Sequence, residues 1–166
     1  WVRRPHQPLL KMRLTLIIYR RKVLLGLLQV LGGRVPRLDF QKYLFLLSRL
    51  QKTPSFDFIP YKFGCFSFQS YADRRALEGS ILLEDTDDWC LISGDDYFSD
   101  LSPADQQAVR NLVQQYSSLK GQELLRYVYR EYPYFAINSE VAANILSPSE
   151  LAEVKRCKPA AIEASF

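Results

Sequence analysis

The stretch that decides the fold runs from Phe56 to Ser93, FDFIPYKFGCFSFQSYADRRALEGSILLEDTDDWCLIS. Phe56, Phe58, Tyr61 and Phe63 alternate imperfectly around Pro60, the pattern of a short edge strand, because proline cannot donate to a ladder and is confined to sheet edges. Gly64 permits a sharp turn. Ser67 then reads as the N-cap of a helix over about residues 68–79 that stops near Gly79. Residues 80–84 (SILLE) and 89–93 (WCLIS) predict two short strands around the polar turn Asp85-Thr86-Asp87-Asp88.

Upstream, residues 15–31 predict an amphipathic helix, with Ile17, Leu24, Leu28 and Leu31 at helical spacing and Gly32-Gly33 as its stop. A second helix is expected over 39–51, with Asp39 as N-cap and Phe40, Tyr43, Leu44 and Leu47 on one face. Helix, helix, strand, helix, hairpin is the order of a winged helix-turn-helix. Downstream, Ser102 caps a helix that has Pro103 in its first position and Asp105 in its third and runs to about 119. Another follows over 122–131, and SPSE at 147–150 opens a last helix to about Cys157. The expected class is mainly α (α+β): a winged-helix-like domain at 12–95 with a helical extension at 96–166 packed on it. Leu24, Leu28, Leu44, Leu47, Phe63, Leu77, Leu82, Trp89 and Leu91 are the predicted core.

Composition narrows the possibilities. The chain has 166 residues, 48% of them hydrophobic and 24% charged, enough apolar material for one packed domain and too much for a disordered tail. Three cysteines, Cys65, Cys90 and Cys157, form no CxxC pair and signal neither a zinc finger nor a disulfide framework, so a reducing cytoplasm is the simplest compartment. Residues 1–80 carry 15 Lys/Arg against 4 Asp/Glu, and residues 81–166 carry 7 against 14. The basic half favours a polyanion or an acidic protein surface as partner. Residues 1–11 lack periodicity and precede the single methionine, so they read as a disordered arm ahead of a natural start at Met12. The apolar run Leu14–Tyr19 is too short to span a bilayer, and no membrane association is expected.

No catalytic constellation is present. His6 is the single histidine, no Gly-rich phosphate loop occurs, and the acidic run between 84 and 100 lacks the spacing of a calcium loop. The chain therefore reads as a non-enzyme with no cofactor and no metal. Cys65, after Gly64 and before a helix, reads as a buried structural cysteine. The third helix is the candidate recognition helix: Gln69, Ser70, Arg74 and Arg75, with Lys62 just before them, are residue types that read base edges or bond phosphate. Arg34 and Arg37, in the link between the first two helices, could hold backbone phosphates. Arg20, Arg21 and Lys22 are consecutive and spread around their helix. Glu84, Asp85, Asp87 and Asp88 oppose the DNA reading, because an acidic wing is repelled by phosphate. The rings between 56 and 71 read as core around which the third helix packs. Tyr127, Tyr129, Tyr132, Tyr134 and Phe135 exceed what one helix face can bury, so they read either as a protein-contact surface or as rings packed beneath the last helix.

Leu38–Leu47 (LDFQKYLFLL), FIPYKFGCFS at 58–67 and Trp89 together resemble a family of small prokaryotic proteins of the YwgA type and, more loosely, the Panacea (SocA-like) domains. YVYREYPYFAINSE at 127–140 is similar to the C-terminal part of the YwgA-type proteins. Phe63-Gly64-Cys65 stands where Tyr-Gly-Pro is commoner. The resemblance implies a winged-helix-like core, a mobile-element or phage-defence locus, and a partner protein encoded nearby; Panacea domains act as antitoxins by protein contact. The leading expectation is a winged-helix protein that binds double-stranded DNA. The alternative is an antitoxin-like module that binds a partner protein or a second copy of itself.

Overall fold

The computed structural model describes residues 17–159, so the arm expected at 1–11 and the start expected at Met12 lie outside the described residues. The fold is mainly helical with a small antiparallel β component. The first helix, α1 (Tyr19–Val30), ends at Gly32 and Gly33, both at positive φ, where a side chain would be strained. Val23 through Leu28 are buried without a break, so α1 is enclosed on all sides rather than amphipathic. The reason is the segment that follows the acidic turn. Gln29 accepts hydrogen bonds from the Tyr97 and Phe98 amides at 2.8 and 3.1 Å. At Gly26 an added Cβ would sit 3.0 Å from Leu101 and 3.3 Å from the Phe98 backbone. Glycine inside a helix costs about 1 kcal/mol against alanine, and here it permits this close crossing.

The second helix, α2 (Arg37–Leu50), is the centre of the molecule, buried continuously from Phe40 to Ser48. Pro36, not Asp39, is its N-cap; Asp39 instead accepts from the Gly121 amide at 3.2 Å, tying α2 to a later helix. The next segment forms a hairpin, β2 (Ile59–Tyr61) against β3 (Gly64–Phe66), with Tyr61 opposite Gly64. The expected strand and turn are there, and β3 completes them. Helix α3 (Phe68–Leu77) follows, with the Ser67 hydroxyl accepting from the Ser70 amide at 3.2 Å as predicted.

The two strands expected at 80–84 and 89–93 are only partly realised. β4 is Trp89–Cys90, and its regular partner is β1 (Arg34–Val35) in the link between α1 and α2, with Val35 opposite Trp89. Towards β4, residues 81–83 contribute one bridge, Leu82 to Leu91, flanked by backbone bonds from Leu83 to Cys90 and from Ile92 to Ile81, and Leu82 also bridges back to Glu78. Two local features stop the ladder. Gly79 turns back on the Leu82 carbonyl, and the carbonyls of Thr86, Asp87 and Asp88 are taken by Arg74.

The remaining helices are α4 (Pro103–Tyr116), α5 (Gly121–Glu131), a 3-10 turn at Pro133–Ala136, the short α6 (Ala142–Ile145) and α7 (Pro148–Arg156). The expected cap of α4 forms, with Ser102 accepting from Asp105, and α7 opens at SPSE as expected, with Ser147 and Glu150 making a reciprocal capping box. Buried residues from both halves belong to one apolar cluster, because α4 and α5 both pack on α2. Of the predicted core, Leu24, Leu28, Leu44, Leu47, Leu77, Leu82 and Trp89 are buried and Leu91 is half-buried. Phe63 is a correction: it occupies the two-residue tip of the hairpin and is 39% exposed.

Candidate functional site

Helix α3 has an internal side that its sequence disguises. Ser70 is fully buried; its hydroxyl donates to the Ser67 carbonyl at 2.9 Å and accepts from Gln41 at 2.8 Å. Asp73, 1% exposed, takes Arg20 at 2.7 and 2.9 Å and Arg21 at 2.9 Å. Burial alone would raise the Asp73 carboxyl, and the hydrogen bonds from the two arginines outweigh it, holding the group below the usual carboxylate range. Consecutive arginines were expected to diverge; their long side chains instead wrap to one carboxylate from two sides. Lys22 lies 3.7 Å from Asp100.

Arg74 is buried as well. Its guanidinium bonds Glu78 at 3.1 Å, donates to the carbonyls of Thr86, Asp87 and Asp88, and lies 5.2 Å from the Trp89 ring. It therefore shapes the acidic turn from inside the protein. Ser70 and Arg74 are corrections to the DNA-contact set: a side chain whose donors are committed inside the fold has none left for a groove. Gln69 is also engaged, accepting from the Asp57 amide at 2.8 Å and donating to its carboxylate at 3.3 Å. Arg34 bonds Asp88 at 2.9 Å, and Arg37 lies 3.8 Å from Asp87. The arginines expected to hold phosphates thus lie against the acidic turn that would repel phosphate. Lys62 and Arg75 remain exposed.

The outer side of α3 and the hairpin carry rings instead. Phe68 is 59% exposed, and Ile59, Tyr61, Phe63 and Tyr71 are exposed too. Phe66 joins them: its ring centre is 5.3 Å from Tyr61, 4.9 Å from Phe68 and 6.1 Å from Tyr71. These rings were expected in the core. Phe56 is buried and Phe58 and Phe66 are half-buried, but Tyr61, Phe63, Phe68 and Tyr71 form an exposed aromatic face, because among the described residues no later element covers them.

The C-terminal rings behave in the opposite way. Tyr129 is buried, with its hydroxyl donating to Ser139 at 2.7 Å, and burial pushes that hydroxyl up to about 12. Phe135 is buried against Phe45 at 4.6 Å, and Tyr132 packs edge-on against the same ring at 5.0 Å. Tyr127 is half-buried with its hydroxyl on Tyr116 at 3.4 Å. Only Tyr134 of the five is exposed. The expected contact surface is therefore largely core, since the 3-10 turn at Pro133 folds the chain back onto α2.

Below the aromatic face lies a cavity of about 260 Å³ whose walls include Lys42, Tyr61, Cys65, Phe66, Tyr71 and Trp89. Burial pushes the Cys65 thiol up to about 12, far from a nucleophilic thiolate and in keeping with a structural cysteine. Lys42 was not among the candidate residues. Its one signal is that α2 is apolar on nearly every side around it, which marks a central helix whose stray lysine must be buried. Burial lowers its ammonium, with Cys65 and Asp39 opposing the shift.

The sequence matches no family model and no curated protein. Among the described residues no helix is long and apolar enough to cross a membrane.

Proposed function

We propose that this chain is a protein-interaction module of the antitoxin-like kind, built on a winged-helix-like core with a helical extension, and that it binds a partner protein through the aromatic face of the β2–β3 hairpin and α3. The observation that carries this reading is the chemistry of α3 where a recognition helix would meet DNA. Its polar residues Ser70, Asp73 and Arg74 are internal, while Phe68 and Tyr71 face solvent beside Tyr61 and Phe63. Exposed apolar patches of this kind mark contact sites for proteins, and aromatic rings are enriched in interface cores. Lys62 and Arg75 lie at this face, which suits a partner with an apolar centre and acidic residues around it. The winged-helix part is supported by the element order and by β4 returning to pair with β1 between the first two helices. The resemblance to antitoxin-type domains points the same way.

The test is co-expression of the chain with the product of the adjacent reading frame. Phe68→Ser with Tyr71→Ser is expected to abolish the complex while the melting temperature stays within a few degrees. A complex that survives the double change overturns the reading. So does binding of duplex DNA whose log affinity falls linearly with log salt and which Lys62→Ala with Arg75→Ala removes, for that is the behaviour of phosphate contacts.

A further inference from the structure

We propose that the cavity beneath the hairpin is a binding site for a small organic monoanion, with a flat apolar body held among the rings and a carboxylate on the Lys42 ammonium. Lys42 is 3% exposed and lines this cavity, yet among the described residues its ammonium donates no hydrogen bond and joins no ion pair. A buried charge without a partner is costly, and proteins pair such groups or give them a ligand. The same wall contains Trp89, whose indole Nε1 is the one buried side-chain polar atom among the described residues that lacks a hydrogen-bond partner. An uncommitted ammonium on a nearly buried side chain thus lies at the wall of this cavity, and Trp89 closes the same wall.

Charge and shape narrow the ligand. The cavity lining includes Lys42 and the exposed Lys62 and no carboxylate; Arg37 and Arg74 also line it but face Asp87 and Glu78, so the uncompensated charge favours an anion. The neighbouring cavity of about 340 Å³, which shares Leu38, Lys42 and Phe63, includes Asp39 in its wall and so lacks this imbalance. Tyr61, Phe66, Tyr71 and Trp89 supply flat apolar walls. At about 260 Å³ the space is below the range of drug-sized pockets. It admits one or two fused rings with a short acidic arm, not a dinucleotide. The site goes beyond the partner-binding reading and does not rest on it.

The experiment uses the isolated full chain with no partner, so its outcome is separate from that of the co-expression test. Binding of benzoate, 2-naphthoate and indole-3-acetate is compared with that of their neutral primary amides and of inorganic phosphate, by ligand-observed NMR and titration calorimetry. At least one carboxylate is expected to bind about ten-fold or more tightly than its amide, the usual effect of a hydrogen bond to a buried charge. Lys42→Met should remove that preference. Leu38→Trp, which adds bulk from an exposed position in the lining and keeps the charge, should block acid and amide alike. The proposal is overturned if no carboxylate binds at millimolar concentration, if the amides bind equally well, or if phosphate alone binds as tightly as the ring compounds. It is equally overturned if Lys42→Met keeps the preference. The acid–amide comparison on the unaltered chain decides the role of charge even if Lys42→Met folds poorly.

Discussion

Two segments of this protein are rich in rings, 56–71 with seven and 127–135 with five, and they end in opposite environments. In the C-terminal segment Tyr129 and Phe135 are buried, and the Arg49 guanidinium lies 4.9 to 5.6 Å from the centres of Phe45, Tyr132 and Phe135. In the earlier segment the rings beyond Phe58 touch one another and solvent. Ring density is the same kind of signal in both. What differs is the element lying opposite: α2 receives the C-terminal turn, whereas among the described residues nothing covers the outer side of the hairpin. An aromatic cluster is therefore core or contact surface according to its neighbours, and density alone does not separate the two.

The sharpest way to break this comparison is a pair of truncations. Phe135→Ala should lose about 3–5 kcal/mol of stability by leaving a cavity against Phe45, while Phe68→Ala should change it by about 0.5 kcal/mol or less, as exposed positions do. Denaturant unfolding of both variants measures this, and equal losses would erase the distinction.

Asp73 anchors from inside the helix that carries the exposed rings. Asp73→Asn should cost about 2 kcal/mol, since it leaves the part-exposed Arg20 and Arg21 facing a neutral group at a buried position. The pH dependence follows from the lowered carboxyl. Asp73 contributes its full stability above the unfolded carboxylate pKa of roughly 3.9 and loses it as pH falls through the lower folded value. The variant should show a shallower loss of stability through that acid range, and an unchanged acid limb would mean the ion cluster contributes nothing.

The two aromatic segments touch at Gly64. Its φ is +94°, and an added Cβ would lie 2.8 Å from the Tyr129 ring. Gly64→Ala should therefore cost about 2 kcal/mol from backbone strain and displacement of that ring. Tyr129→Phe, which removes the bond to Ser139, should cost about 1 kcal/mol. A fully tolerated alanine at 64 would mean that the hairpin and the C-terminal segment are not pressed together.

Much of the local structure was legible in the residues. The caps at Ser67, Ser102 and Ser147, the Gly32-Gly33 stop and the Gly64 turn all stand where their chemistry put them, because caps and turns act over three or four residues. The candidate contact residues were less legible. Ser70 and Arg74 have the character of groove-reading residues, and nothing in their immediate neighbours reveals that Gln41 and the 86–88 carbonyls would claim them.

The sequence by itself determined the six longer helices, several of their ends and the strand around Pro60, since propensity, capping and glycine geometry are properties of short windows. Only the tertiary structure decided that Trp89 pairs back to Val35, that Arg20 and Arg21 converge on Asp73, and that, among the described residues, the C-terminal rings are covered, the hairpin rings are not, and Lys42 lines a cavity without a partner. Each of these depends on which element comes to lie opposite a side chain. That is settled by packing between segments about 20 to 90 residues apart, a distance over which no local pattern carries.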